Sequence, residues 1–354
     1  MNRFGFKPSK CKLLFQNCEP ESVKINGHVI DNVDDHGYLG TVVEANGSRR
    51  KDMKTRVKDC SGVLNEIVEV SKVPGLSTVR LQYIEMFTNA CFISKFKHGC
   101  EVWDTFNKSM RTLINKLIPD MMKRVLEVPQ STPALAVQHE LGFVDMDLEV
   151  EMERILLYYA VEEMDDKRIV KPLFKSMFDK NVPGFCSAVN NAITIFNLKE
   201  NPIDIEDKRK DLKTRMVQIQ RDRILKAMLI SSKCNGLILN FDYDGKMKRY
   251  MKVLPFKEAQ IIFLYRARMF PTKDNFKGRW AISCLCSYCC GNETDEHLFK
   301  CCGYLDLVKG NINHISLMKL DSDDETLKQY AQVLLQIYSR IMIGRNDKEL
   351  NETN

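Results

Sequence analysis

The segment that most constrains this chain is Cys286-Ser-Tyr-Cys289-Cys290-Gly-Asn-Glu-Thr-Asp-Glu-His297-Leu-Phe-Lys-Cys301-Cys302. Taken as Cys286-x2-Cys289-x7-His297-x4-Cys302, it offers three thiolates and one imidazole, a four-donor set suited to zinc. Four protein donors leave no open position for a reacting water, so the set reads as a structural staple and not a catalytic centre. The register stays open: Cys290 can stand for Cys289 and Cys301 for Cys302, with Cys284 a further thiol nearby. The seven-residue interval is longer than that of a viral zinc knuckle. A DNA-reading finger would need a second histidine and a gap of about twelve residues, and neither is present.

The remaining cysteines bear on the compartment. The chain has 13, an odd number, and seven of them (Cys11, Cys18, Cys60, Cys91, Cys100, Cys186, Cys234) show no framework spacing. The first residues lack an apolar signal core, and no run reaches the roughly 18 apolar residues of a membrane span. The expectation is an intracellular, reducing setting, nucleus or cytoplasm, with metal-bound or free thiols and no membrane partner. A formal charge of +6 over 354 residues is compatible with a polyanionic partner without requiring one.

The pattern along the chain is mainly α with a small N-terminal β portion. Lys12–Phe15 reads as a buried-type strand, and Val23–Ile30 as a hairpin turned by Asn26-Gly27. His36–Val43 reads as a further strand bounded by glycine. Helices are expected from Arg49 onward: one through Val57, Val63, Leu64 and Ile67, a second over 77–98 with Ser77 as N-cap, and a third over 105–127. Ser131-Thr132-Pro133 reads as the cap of a short helix ending at Gly142. Residues 145–178, 203–232, 260–270 and 324–343 read as further helices. Asp321–Glu325 is an acidic helix start that complements the macrodipole.

An ordered series of short motifs gives this pattern a family likeness. Phe4-Gly5-Phe6-Lys7-Pro8-Ser9-Lys10 resembles motif D of LINE-type reverse transcriptases, the enzymes of retrotransposons lacking long terminal repeats. Tyr38-Leu39-Gly40 resembles their primer grip. His98-Gly99-Cys100-Glu101-Val102-Trp103 resembles their Tyr-Gly-Cys-Glu-Thr-Trp box. Ser131–Gly142 and Leu264–Asn275 resemble later boxes in the same order, and the last leads into the cysteine cluster.

The resemblance implies a residual palm over 1–45, a helical thumb over 46–128, a helical linker over 129–259, a zinc segment over 260–310 and a C-terminal helix and tail over 311–354. It implies that Lys10 faces departing pyrophosphate and that template RNA and primer DNA are the partners. The family's paired-aspartate box, which holds two magnesium ions on the palm, would precede motif D and is not found there. Asp34-Asp35 follow Lys10 and read as loop residues. Phosphoryl transfer needs carboxylate-held metal, so this chain is expected to be a truncated polymerase, inactive alone, with magnesium relevant only to a complete parent enzyme.

Candidate nucleic-acid contacts are Tyr38, Leu39 and Gly40, together with the basic run Arg49, Arg50, Lys51, Lys54, Arg56 and Lys58, which could neutralise phosphates without sequence preference. A second basic run extends from Lys208 to Arg223. Trp103 and Phe106 read as packing residues. Two alternatives are a non-enzymatic, zinc-containing nucleic-acid-binding protein and an unrelated helical scaffold.

Overall fold

Turn chemistry organises the described residues that precede the first helix. In the computed structural model, β2 (Lys24–Ile25) and β3 (His28–Val29) form an antiparallel hairpin, with Lys24 opposite Val29. Gly27 supplies the positive φ of 81° that the tight turn requires. β1 (Lys12–Leu13) pairs in parallel with β4 (Asp31–Asn32). The stretch read as one strand over 36–43 is instead a hairpin of β5 (Asp35–Tyr38) and β6 (Thr41–Glu44), with Tyr38 opposite Thr41. Leu39 and Gly40 both take positive φ, 48° and 82°, as a primed two-residue turn demands.

The structure describes residues 11–354 apart from 16–17, 26, 74, 76–79, 181, 183, 201–206, 232–233, 239–240, 277–282, 287, 301–317, 319–322 and 353–354; side chains at 235–236, 300 and 344–352 are also outside it. Helix accounts for 61% of the chain and strand for 6%, so the mainly α class holds, with its few strands near the start. No helix among the described residues is long and apolar enough to cross a membrane.

The helices are α1 (Arg50–Ser71), α2 (Arg80–Phe87), α3 (Ser94–Lys97), α4 (Lys108–Val125), α5 (Ala134–Leu141), α6 (Met146–Glu162) and α7 (Val170–Asp179). They continue as α8 (Phe185–Ile195), α9 (Lys208–Ile230), α10 (Asn235–Ile238), α11 (Arg249–Val253), α12 (Phe256–Arg266), α13 (His297–Lys300) and α14 (Asp324–Glu352). A π-type turn, Thr88–Ile93, joins α2 to α3, and a single 3-10 turn covers Cys100–Val102.

Several boundaries have visible causes. Asp323 Oδ1 accepts the Thr326 N–H at 2.7 Å and caps α14. Gly142, at φ 72°, ends α5 and bonds back to the Gln138 carbonyl. The expected cap at Thr132 is displaced: α5 starts from Pro133, whose carbonyl accepts the Ala136 N–H at 3.1 Å, and the buried Thr132 hydroxyl has no hydrogen-bond partner. Proline at the boundary fixes φ itself, so the preceding hydroxyl is not needed. The proposed N-cap Ser77 lies outside the described residues. α12 stops at Arg266 because Arg268 enters the left-handed region at φ 53°, letting the Met269 N–H reach the Leu264 carbonyl at 2.8 Å.

Contacts divide the chain into two units. The first comprises 1–63, 89–114 and 146–216, the second 64–88, 115–145 and 217–354. The first is built around Phe92, Phe96, Trp103 and Phe106, with Trp103 edge-on to Phe96 at 5.4 Å and to Phe106 at 6.3 Å. Trp103 and Phe106 are therefore packing residues. α6 lies against α8 and the Cys100–Val102 turn. The second unit packs α12 against α11 and α14, with Phe263, Leu334 and Ile337 fully buried.

Candidate functional site

The turn at Tyr38-Leu39-Gly40 is exposed and strained at once. A bulky residue at positive φ costs about 1–2 kcal/mol, yet Leu39 holds that conformation with 76% of its surface in solvent. Burial of its own side chain therefore cannot be what holds it there. The backbone is held from outside: His98 Nε2 lies 3.0 Å from the Leu39 carbonyl, and Arg56 Nη2 donates to the Gly40 carbonyl at 2.7 Å. Gly99, at φ 73°, lets the hairpin approach, since a Cβ there would stand 2.7 Å from the Thr41 methyl.

α1 begins against this hairpin. Asp52 accepts the Val42 N–H at 2.8 Å with one carboxylate oxygen and the Trp103 Nε1–H at 2.7 Å with the other. Glu44 accepts the Lys51 N–H and Ser48 the Arg50 N–H, satisfying donors at the helix start. Hairpin, α1 and the His98–Trp103 box thus meet at one place.

The basic run divides by exposure. Arg50, Lys54 and Lys58, at four-residue spacing, form an exposed ridge on α1. Lys51 is exposed but paired with Asp35, and Arg49 is half-buried, its N–H facing Asp104. Arg56 departs from the expected phosphate contact: it is buried, and its guanidinium is spent on the Gly40 and Lys95 carbonyls. Lys10 lies outside the described residues. Asp34-Asp35 belong to the hairpin, with the Asp34 carbonyl on the Ala45 N–H and the Asp35 carboxylate on Lys51. In the second basic run, Lys208 pairs with Glu163, just past α6, and Arg209 chelates Glu153 on α6, while Arg215 pairs with Asp211 and Arg223 with Asp145.

The Cys/His segment brings three of its four expected donors together. Atoms of Cys286, Cys289 and His297 lie within 4.8 Å of one another, so the group can hold a metal ion. Cys289 Sγ is 3.5 Å from His297 Nε2, and the Tyr288 N–H donates to Cys286 Sγ at 3.4 Å. Among the described residues Cys289, and not Cys290, joins the group; Cys290 sits at φ 58° beyond the turn. The Leu285–Asn292 bridge and the Cys286 N–H to Gly291 carbonyl bond (2.7 Å) close the loop. Gly291 packs close to the imidazole, since a Cβ there would stand 3.3 Å from the His297 ring. The fourth expected donor, Cys302, and its alternative Cys301 lie outside the described residues.

Sequence reasoning passed over a buried charge cluster in the second unit. Glu140 is held by Arg266 at 2.9 and 3.0 Å and faces His139 Nδ1 at 2.9 Å. His139 Nε2 lies 3.2 Å from Asp242, which also binds Lys248 at 2.9 Å. Burial pushes the His139 pKa down, but the Asp242 and Glu140 carboxylates outweigh it and hold it above its ordinary value. Nδ1 makes a hydrogen bond with Glu140, whereas Nε2 faces Asp242 at ion-pair distance without hydrogen-bonding geometry. Glu140 and Arg266 each lie in a box that carried the resemblance; their pairing across 126 positions has no signature in local spacing.

Compared with models of known protein families, with curated proteins and with solved structures, the chain gives no match.

Proposed function

We propose that this chain is a thumb-and-zinc portion of a LINE-type reverse-transcriptase architecture that binds a hybrid of template RNA and primer DNA. The observation that carries the reading is the exposed Tyr38-Leu39 turn braced beside a cationic ridge at the start of α1. Cations at a helix N-terminus oppose the macrodipole, at about 0.3–1 kcal/mol each. Arg50, in the first turn, therefore gains nothing from the helix it sits on, and a polyanion would give it and the ridge it opens a role. Strain at Leu39, held by His98 and Arg56 instead of by burial, is of the kind that accompanies ligand contact.

The same reading assigns zinc to the Cys/His group. With Zn–S of about 2.3 Å and Zn–N of about 2.0–2.1 Å, a tetrahedral centre separates sulfur and nitrogen by about 3.5 Å. The Cys289–His297 separation of 3.5 Å fits that edge. Cys286, Cys289, His297 and, by sequence, Cys302 would hold the ion, which supplies cross-linking and no reaction step.

Anisotropy titration of a labelled RNA–DNA hybrid against the full chain tests the function. Binding that weakens steeply between about 50 and 200 mM salt is expected; no binding at the lower salt contradicts it.

A further inference from the structure

The Cys/His loop carries two buried carboxylates, Glu293 and Asp295, each a chemically reasonable metal donor. Neither belongs to the Cys286, Cys289 and His297 group. Both are turned instead to the segment that follows α12. Asp295 Oδ1 accepts hydrogen bonds from Asn275 Nδ2 at 2.8 Å and from the Thr272 hydroxyl at 3.4 Å, while Oδ2 faces Arg268 Nε at 3.8 Å. The Asp295 carbonyl accepts the Tyr265 hydroxyl at 3.1 Å.

Glu293 is gripped from the same side. Its carboxylate accepts the Lys273 N–H at 3.1 Å, and its carbonyl accepts the Asp274 N–H at 3.2 Å. Lys273 Nζ reaches across to the Leu285 carbonyl at 2.6 Å, one residue before Cys286. The turn over 272–275 therefore holds the loop just ahead of its first donor and just ahead of His297.

A loop that must be ordered by its ligand gives up affinity to do so, and one already held in place does not. Groups outside the ligand set that orient it typically matter by about 10–100-fold in metal affinity. We infer that Asn275 and Asp295, with Thr272, are positioning residues for the metal loop: they fix the spacing of Cys286, Cys289 and His297 without ligating. The inference rests on the metal reading of those three residues.

The test uses the full chain under reducing conditions, with zinc alone titrated in competition with a chromophoric chelator. The proteins are wild type, Asn275→Leu, Asp295→Asn, the near-isosteric Thr272→Val and the donor variant Cys286→Ser. Wild type should take up one zinc per chain, and Cys286→Ser should bind it far more weakly. Asn275→Leu and Asp295→Asn should still saturate at one zinc, but about 10–100-fold more weakly. Thr272→Val should fall between them and wild type, and it serves if either of the others fails to fold by circular dichroism. Cobalt in place of zinc should give the same thiolate charge-transfer band in all positioning variants. Wild-type affinity in those variants would overturn the positioning role and leave the metal reading standing. A changed cobalt spectrum in Asp295→Asn would make Asp295 a ligand and overturn it too. A wild-type chain that takes up no zinc would overturn both.

Discussion

Arg266 and Glu140, 126 positions apart, form a two-point ion pair shielded from solvent, with Nε and Nη2 donating to the two carboxylate oxygens at 3.0 and 2.9 Å. Arg266 also donates to the Met318 carbonyl, and Glu140 also takes His139. A buried pair satisfied in this way need not add much net stability, but it cannot be half removed.

Glu140→Ala strands the Arg266 guanidinium in a dry site and should lower unfolding free energy by about 3–5 kcal/mol in urea titration. Arg266→Lys should also destabilise, because an ammonium cannot reproduce the planar two-point contact. Replacing both partners, as Glu140→Leu with Arg266→Met, should cost less than the sum of the single changes.

His139 gives the second unit a pH dependence of definite sign. Burial lowers its pKa, but Asp242 and Glu140 outweigh that and raise it in the folded state, while Lys248 and Arg266 hold the carboxylates from their far sides and Tyr250 packs nearby. A raised folded pKa means this stabilisation is complete below the unfolded value of about 6.5 and is lost as pH rises through the folded value. Thermal unfolding should therefore fall in temperature as pH climbs from about 6.5 into the alkaline range, and His139→Gln should flatten that slope. A slope unchanged in the variant would assign the dependence elsewhere.

Two glycines with positive φ should respond differently to alanine. At Gly142 a Cβ would lie 2.3–2.5 Å from the Lys246 backbone, whereas at Gly27 it would meet nothing within 4 Å. Gly142→Ala should cost about 2–4 kcal/mol, left-handed strain plus a clash with main chain that cannot rotate away. Gly27→Ala should cost about 1–2 kcal/mol, the strain alone. Chemical denaturation of the two variants separates these costs.

Periodicity and turn chemistry make much of this fold readable in the sequence. Of the apolar positions Val57, Val63, Leu64 and Ile67, which recur at helical spacing, all but the half-buried Val63 are buried, and Asn-Gly marks a real hairpin. The second hairpin is harder to read because its first turn residue is leucine, which turn statistics disfavour, and two of the contacts that hold it, from His98 and Arg56, are long-range. Spacing also located Cys286, Cys289 and His297, since metal donors are close in sequence. It could not separate Arg56 from Lys54. Both sit in one basic run, and which cation faces inward depends on carbonyls from Gly40 and Lys95 that local pattern does not contain.

Asp34-Asp35 should not support polymerisation. The Asp35 carboxylate is paired with Lys51, and the Asp34 backbone is committed to the hairpin. Primer extension by these 354 residues with magnesium should stay at background, and extension lost in an Asp34→Asn, Asp35→Asn variant would contradict that assignment.

The most direct measurement compares hybrid binding across a salt series for the wild-type chain, for Arg50→Glu with Lys54→Glu and Lys58→Glu, and for Arg56→Gln. If the ridge neutralises phosphates, the triple variant should bind weakly and its log Kd against log salt slope should drop by about 3, roughly one per lost contact. Arg56→Gln should leave that slope at the wild-type value, because its guanidinium is committed to backbone carbonyls, whereas a drop of about one would assign it a phosphate contact. A triple variant with wild-type affinity and an unchanged slope would contradict the account.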